Sequence, residues 1–166
     1  MNEMRKLIDI VESENLSDEI IPGELPEYNT LAKQLAAVQQ AGWKIQYIRN
    51  LSLEVQLEAV KQSGYNIQYI TNPAEQVQLV AVQHNGLAID DILAKGIVPS
   101  IAVQRAAVLN KPASALRLMV RYNFPISKMI QWTAAKLIKK RGFVLAESHL
   151  SKLDPDVQDY LRSNNQ

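Results

Sequence analysis

The sequence predicts an all-α protein made of tandem helix-turn-helix repeats, about six units of 22 to 27 residues stacked as a small α-solenoid. Three observations predict it. The segments Gln34-Leu35-Ala36-Ala37-Val38, Gln56-Leu57-Glu58-Ala59-Val60 and Gln78-Leu79-Val80-Ala81-Val82 recur at a spacing of 22 residues. Eight positions after each glutamine stands a glycine (Gly42, Gly64, Gly86), and eleven and fourteen after it stand isoleucines (Ile45 and Ile48, Ile67 and Ile70, Ile89 and Ile92). Four positions before each glutamine stands a residue suited to cap a helix, or, at Ala74, the preceding Asn72-Pro73.

Each unit therefore reads as a capped helix of about ten residues, a glycine able to take a positive φ, and a second, shorter helix carrying the isoleucine pair. In the second unit Leu57, Ala59, Val60 and Gly64 fall toward one side and Glu54, Glu58, Lys61 and Gln62 toward the other, the pattern of a half-buried helix. Neither helix of a unit can bury its apolar stripe alone, so neighbouring units must stack. The register continues at Gln104, where Pro112 replaces the glycine and Ala115 and Leu118 take the isoleucine columns, then at Gln131 and, truncated, at Gln158. The caps are Thr30, Ser52, Ser100, Ser127 and Asp154.

This divides the single domain into four parts. Residues 1–29 hold an N-terminal amphipathic helix (Met4, Leu7, Ile8, Val11) and a loop with Pro22, Gly23 and Pro26. Residues 30–99 are three regular repeats, 100–152 two divergent basic repeats, and 153–166 a C-terminal capping helix.

The stretch from Val55 through Ala59-Val60-Lys61-Gln62-Ser63-Gly64-Tyr65 to Ile70, followed by Val77 to Ile89, resembles a family of tandem repeats found in bacterial and viral proteins. Its members repeat a helix ending in Ala-Val-Lys-Gln-Asn-Gly, then Leu or Ile, Gln or Glu, and Tyr. The resemblance covers residues 31 to 95 well and 100 to 145 poorly. It implies the repeat fold; the family is one of unknown function, so it carries over no active site. The opening Met4 to Glu12 is also similar to the short amphipathic starts of many tailed-phage proteins.

Composition narrows the function. The chain has 166 residues, 47% of them apolar, enough for one domain with a continuous core. It lacks cysteine, which excludes disulfides, thiolate zinc sites and cysteine catalysis. It lacks an 18-residue apolar run and a signal-peptide pattern, so a cytoplasmic protein with no membrane association is expected.

The net charge of +1 conceals unlike segments: residues 1–33 carry −5, residues 34–103 carry −1, and residues 142–166 carry −2. Residues 104–141 contain nine Lys or Arg and no acid. In the fifth unit Trp132, Lys136, Lys139 and Lys140 share one helical face, and Arg105, Arg117, Arg121, Lys128 and Arg141 surround it in sequence. A cationic face with an exposed aromatic suits a phosphate backbone or an acidic protein surface. A solvated face paired with the acidic ends is the equal alternative, since no local i, i+4 partner exists.

Other candidates give weaker signals. The glutamine column (Gln34, Gln56, Gln78, Gln104, Gln131, Gln158) could read a polymer one unit per repeat, but an amide tethering the loop or helix of the next unit explains an unvarying residue better. Tyr47 and Tyr69 share a column and could stack bases, yet such rings more often cover a helix junction, and Asp91 takes that place in the next unit. His84, His149, Asp90 and Asp91 lack metal-ligand or acid-base spacing, and His84 sits in the column of Gln40 and Gln62. The expectation is a non-enzymatic module without metal or cofactor that binds a protein partner, encoded by a phage and acting on a host or virion protein. A nucleic-acid binder using the 104–141 band is the alternative.

Overall fold

The computed structural model describes Tyr28 and residues 30–163. Among these residues the chain is all-helical, with nine α-helices, two 3-10 helices and no strand. Six helices lead the units: α1 Leu31–Gln40, α2 Leu53–Gln62, α3 Glu75–His84, α5 Ile101–Asn110, α7 Lys128–Lys140 and α9 Pro155–Arg162. Five elements follow them: η1 Gly42–Tyr47, η2 Gly64–Tyr69, α4 Ala88–Ala94, α6 Pro112–Arg121 and α8 Glu147–Leu150. The amphipathic segment expected around Met4 and Val11, and the loop after it, lie outside the described residues.

Neighbours in sequence are neighbours in space. Each leading helix packs on the next, from α1 to α9, and each following element packs on the next, from η1 to α8. The molecule thus has two helical layers with one apolar seam between them. All six isoleucines of the repeat, Ile45, Ile48, Ile67, Ile70, Ile89 and Ile92, are buried in that seam beside Val38, Val60, Val82 and Val108.

The capping column behaves as expected at five positions. Thr30, Ser52, Ser100, Ser127 and Asp154 each accept a hydrogen bond from a backbone N–H of the following turn. The exception is corrected in detail: α3 starts at Glu75 with Ala74 as an uncapped N-cap, so Pro73 stands outside the helix rather than at its first position.

The glycine column has a different cause from the one expected. Gly42, Gly64 and Gly86 do not take positive φ; among the described glycines only Gly96 and Gly142 do. The extended residue before each, Ala41, Ser63 or Asn85, ends the leading helix. What forbids a side chain is close approach: a Cβ on Gly64 would lie under 3.0 Å from the Ala81 carbonyl oxygen, and one on Gly86 at 2.8 Å from that of Ala107. A Cβ on Gly42 would strike the Asn66 amide, which itself donates to Ala59 O at 2.9 Å. Glycine thus lets the backbone of one unit touch the leading helix of the next.

In the third and fourth units the added length follows from the second element, whereas in the fifth it lies in the leading helix α7, 13 residues long against 10 for α5. A 3-10 helix rises about 2.0 Å per residue against about 1.5 Å for an α-helix, so six residues suffice in η1 and η2. From the third unit onward the element is α-helical. It ends at α4 in Gly96, φ +70°, and at α6 in Asn123, φ 51°, with N–H bonds back to carbonyls five residues earlier, Ile97 to Ile92 and Phe124 to Met119. Those extra turns account for the longer linkers. The fourth unit departs furthest, because α6 is as long as α5. Ala115 is buried there but Leu118 is only half-buried; Leu116, Met119 and Val120 fill the core instead.

Candidate functional site

Two sets of polar residues recur along the layers, one fastening each leading helix to its entry loop and the other joining neighbouring units. Each glutamine of the column donates its Nε2 to the carbonyl of the loop that enters its own helix: Gln34 to Tyr28, Gln56 to Leu51, Gln78 to Pro73, Gln104 to Pro99, Gln131 to Ile126 and Gln158 to Leu153. The tether runs to the preceding loop of the same unit. Only Gln131, among these six, also reaches forward, its Oε1 accepting from Asp154 N at 2.7 Å.

The second set is the last residue of three leading helices, α2, α3 and α5. Gln62 Oε1 accepts from Gly42 N (2.8 Å) while its Nε2 donates to the carbonyls of Val38 (2.5 Å) and Gln39 (3.0 Å) at the end of α1. His84 Nδ1 accepts from Gly64 N at 3.3 Å. Asn110 Oδ1 accepts from Gly86 N (3.1 Å) and its Nδ2 donates to Gln83 O at 2.9 Å. A side chain of the next unit thus satisfies donors and carbonyls that a helix end leaves without partners. His84 serves this junction.

At the fourth junction the same problem is solved differently. Pro112 has no N–H to offer, and the corresponding position of α7 is Leu137, which has nothing to accept with. Arg141 supplies the missing donors, Nη1 to Asn110 O at 3.2 Å and Nη2 to Leu109 O at 3.3 Å.

The basic band is therefore divided. Arg141 caps α5. Lys128 pairs with Asp156 (2.7 Å) and Asp154 (3.1 Å), and hydrogen bonds to those two carboxylates, Asp156 first, raise the pKa of its ammonium. Trp132 is half-buried against Tyr160, ring centroids 5.1 Å apart, and Lys139 Nζ stands 3.8 Å over the same tyrosine ring. Arg105, Lys136 and Lys140 are exposed on the leading-helix layer, whereas Arg117 and Arg121 project from α6 in the other layer. The nine residues do not share one surface. The tyrosine column does not stack either: among the described residues the ring pairs are Trp43 with Tyr47 and Trp132 with Tyr160.

What the layers do create is a groove of about 630 Å³ across the following elements of four successive units. Tyr65 and Gln68 come from η2, Leu87, Asp90 and Asp91 line it at α4, Ser114, Arg117, Leu118 and Arg121 come from α6, and His149 from α8. The residues enter at i, i+3 and i+4 because each element turns the same helical face to the groove. Burial pushes the Asp91 carboxyl above its ordinary pKa, opposed by Lys95 and reinforced by Asp90. Burial in turn lowers the Lys95 ammonium, whose Nζ donates to Ile67 O at 2.6 Å. The nearby Asp90 carboxylate raises the pKa of the Tyr122 phenol. Arg117 donates to Ser114 Oγ at 3.4 Å, and Arg121 lies 5.8 Å from the centroid of the Tyr122 ring. Among the described residues neither arginine forms an ion pair.

The sequence groups Arg117 and Arg121 with the lysines of α7, and offers Asp90 and Asp91 only as metal-ligand or acid-base candidates. The available signal was the tyrosine column itself, which continues Tyr47, Tyr69, Asp91, Arg117 and so places an acid beside a base on adjacent units.

The chain matches no family model, no curated protein and no solved structure. Among the described residues no three His, Asp or Glu side chains gather closely enough to hold a metal ion, and no helix is long and apolar enough to cross a membrane.

Proposed function

We propose that the two layers form a short α-solenoid and that the chain is a non-enzymatic interaction module, holding a segment of a protein partner in the groove between η2 and α8. The observation that carries this reading is the groove's composition. Two carboxylates and two guanidiniums that form no ion pair among the described residues line one channel together with Leu87 and Leu118. A peptide can meet both signs of charge and an apolar floor at once. A nucleic acid presents phosphates along its whole length, so Asp90 and Asp91 would oppose it there. The setting that goes with the sequence resemblance is a phage-encoded protein acting in the cytoplasm on a host or virion protein.

A second reading rests on the other layer, where the exposed Arg105, Lys136 and Lys140 have no acidic partner among the described residues. That layer would serve a nucleic acid. One experiment separates the two. A random-peptide display library is panned on the immobilised chain, and oligonucleotide binding is measured at low and high salt. The groove reading expects enriched peptides that lose at least tenfold in affinity to Arg117→Glu/Arg121→Glu and keep it with Lys136→Glu/Lys140→Glu. Salt-dependent oligonucleotide binding abolished by the lysine variant, with no enriched peptide, would overturn it.

A further inference from the structure

Resting on the groove reading, we infer that the partner segment is anchored by an acidic side chain whose carboxylate is received by Arg117 and Arg121, while Asp90 and Asp91 limit its negative charge rather than hold a base. The groove carries both signs of charge, but only one is open to a partner. Asp90 and Asp91 belong to α4, where the fold already engages them: Lys95 faces Asp91 and opposes the effect of its burial, and Asp90 lies near the Tyr122 phenol. Asp90 Oδ1 is shielded from solvent. An atom that water does not reach is closed to a partner's ammonium as well.

The arginines are in the opposite state. Arg117 and Arg121 stand one helical turn apart on α6, both exposed and both lining the groove, and neither has a carboxylate partner among the described residues. A guanidinium presents its donors in a fixed fork that matches a carboxylate, and the charge-assisted bonds so formed are stronger than neutral ones. Leu87 and Leu118 line the same groove, so residues beside the acid meet apolar surface. Further negative charge is repelled by Asp90 and Asp91, which selects one acidic anchor among uncharged residues over an acidic run. A phosphate backbone fails the same selection.

The test uses the full chain and peptides recovered by panning, synthesised with both ends blocked so that side chains supply every carboxylate. Replacing the peptide's acid by its amide should weaken binding at least tenfold. Arg117→Glu/Arg121→Glu should lose the acidic peptide by at least tenfold and gain the copy that carries lysine in place of the acid. Asp90→Asn/Asp91→Asn should bind the acidic peptide at least as tightly as the wild type does. Circular dichroism on each variant checks that it is folded before its binding is read. A tenfold loss in the asparagine variant, binding that requires a free C-terminal carboxylate, or groove-dependent peptides indifferent to the acid would overturn this inference while leaving the groove reading standing. Absence of any groove-dependent peptide overturns both.

Discussion

Three junctions between neighbouring units are closed by a glycine and one by a proline, and the contrast separates what the fold needs from what a binding face can use. At Gly42, Gly64 and Gly86 the backbone N–H of one unit is received by Gln62, His84 or Asn110 of the next. At Pro112 both halves of that bond are gone, the donor to proline and the acceptor to Leu137, and Arg141 takes over the exposed carbonyls of α5. Donor and acceptor vanish together because either alone would leave a polar group short of a partner. Released from the tight glycine junction, α6 extends to ten residues and carries Arg117 and Arg121 to the groove.

The glycine junctions offer the largest effect. Gly64→Ala should cost about 3 kcal/mol by chemical denaturation, because the new methyl group meets the rigid Ala81 carbonyl. Gly96→Ala, whose methyl would meet nothing within 4 Å but whose φ is +70°, should cost only about 1 kcal/mol. Equal costs at the two sites would mean that conformation, not contact, sets the column. Next comes Gln62→Ala, expected to lose about 2 kcal/mol since three backbone groups lose their partner.

Rebuilding the glycine pattern at the proline junction is a smaller and sharper trial. In a double-mutant cycle Pro112→Gly and Leu137→Gln should couple favourably by about 1 kcal/mol, the new amide receiving the new N–H; strict additivity would contradict the pairing of the two positions.

The smallest effect concerns pH. Burial disfavours the charged form of Asp91, so its folded pKa lies above its unfolded one. The protonated acid binds more readily in the folded state, and this carboxyl therefore costs stability at neutral pH, a cost removed as pH falls through the folded pKa. Asp91→Asn should raise the neutral denaturation midpoint slightly and remove that part of the acid-range slope. A lower midpoint at neutral pH would show that the Lys95 pairing outweighs the burial.

Much of the fold was legible because the repeat writes its caps and its buried isoleucines at fixed spacing. The glycine column was visible too, but its cause was not, since close approach to Ala81 O or Ala107 O is a tertiary fact and a glycine in sequence reads equally well as a turn. The basic band misled for a related reason. Arguments from i, i+4 spacing see no partner for Lys128 or Arg141, whose partners lie 28 and 31 residues away in the neighbouring unit. A repeat protein pairs its charges at the repeat distance, so columns rather than helix faces are the units in which its surface is to be read. Along that column, Asp91 beside Arg117 was the legible trace of the groove.

The most direct measurement of the account is amide hydrogen exchange with and without a peptide recovered by panning. Added protection is expected only in η2, α4, α6 and α8, with α2, α3, α5 and α7 unchanged. Protection concentrated on α5 and α7, around Arg105, Lys136 and Lys140, would contradict it and move the function to the opposite layer.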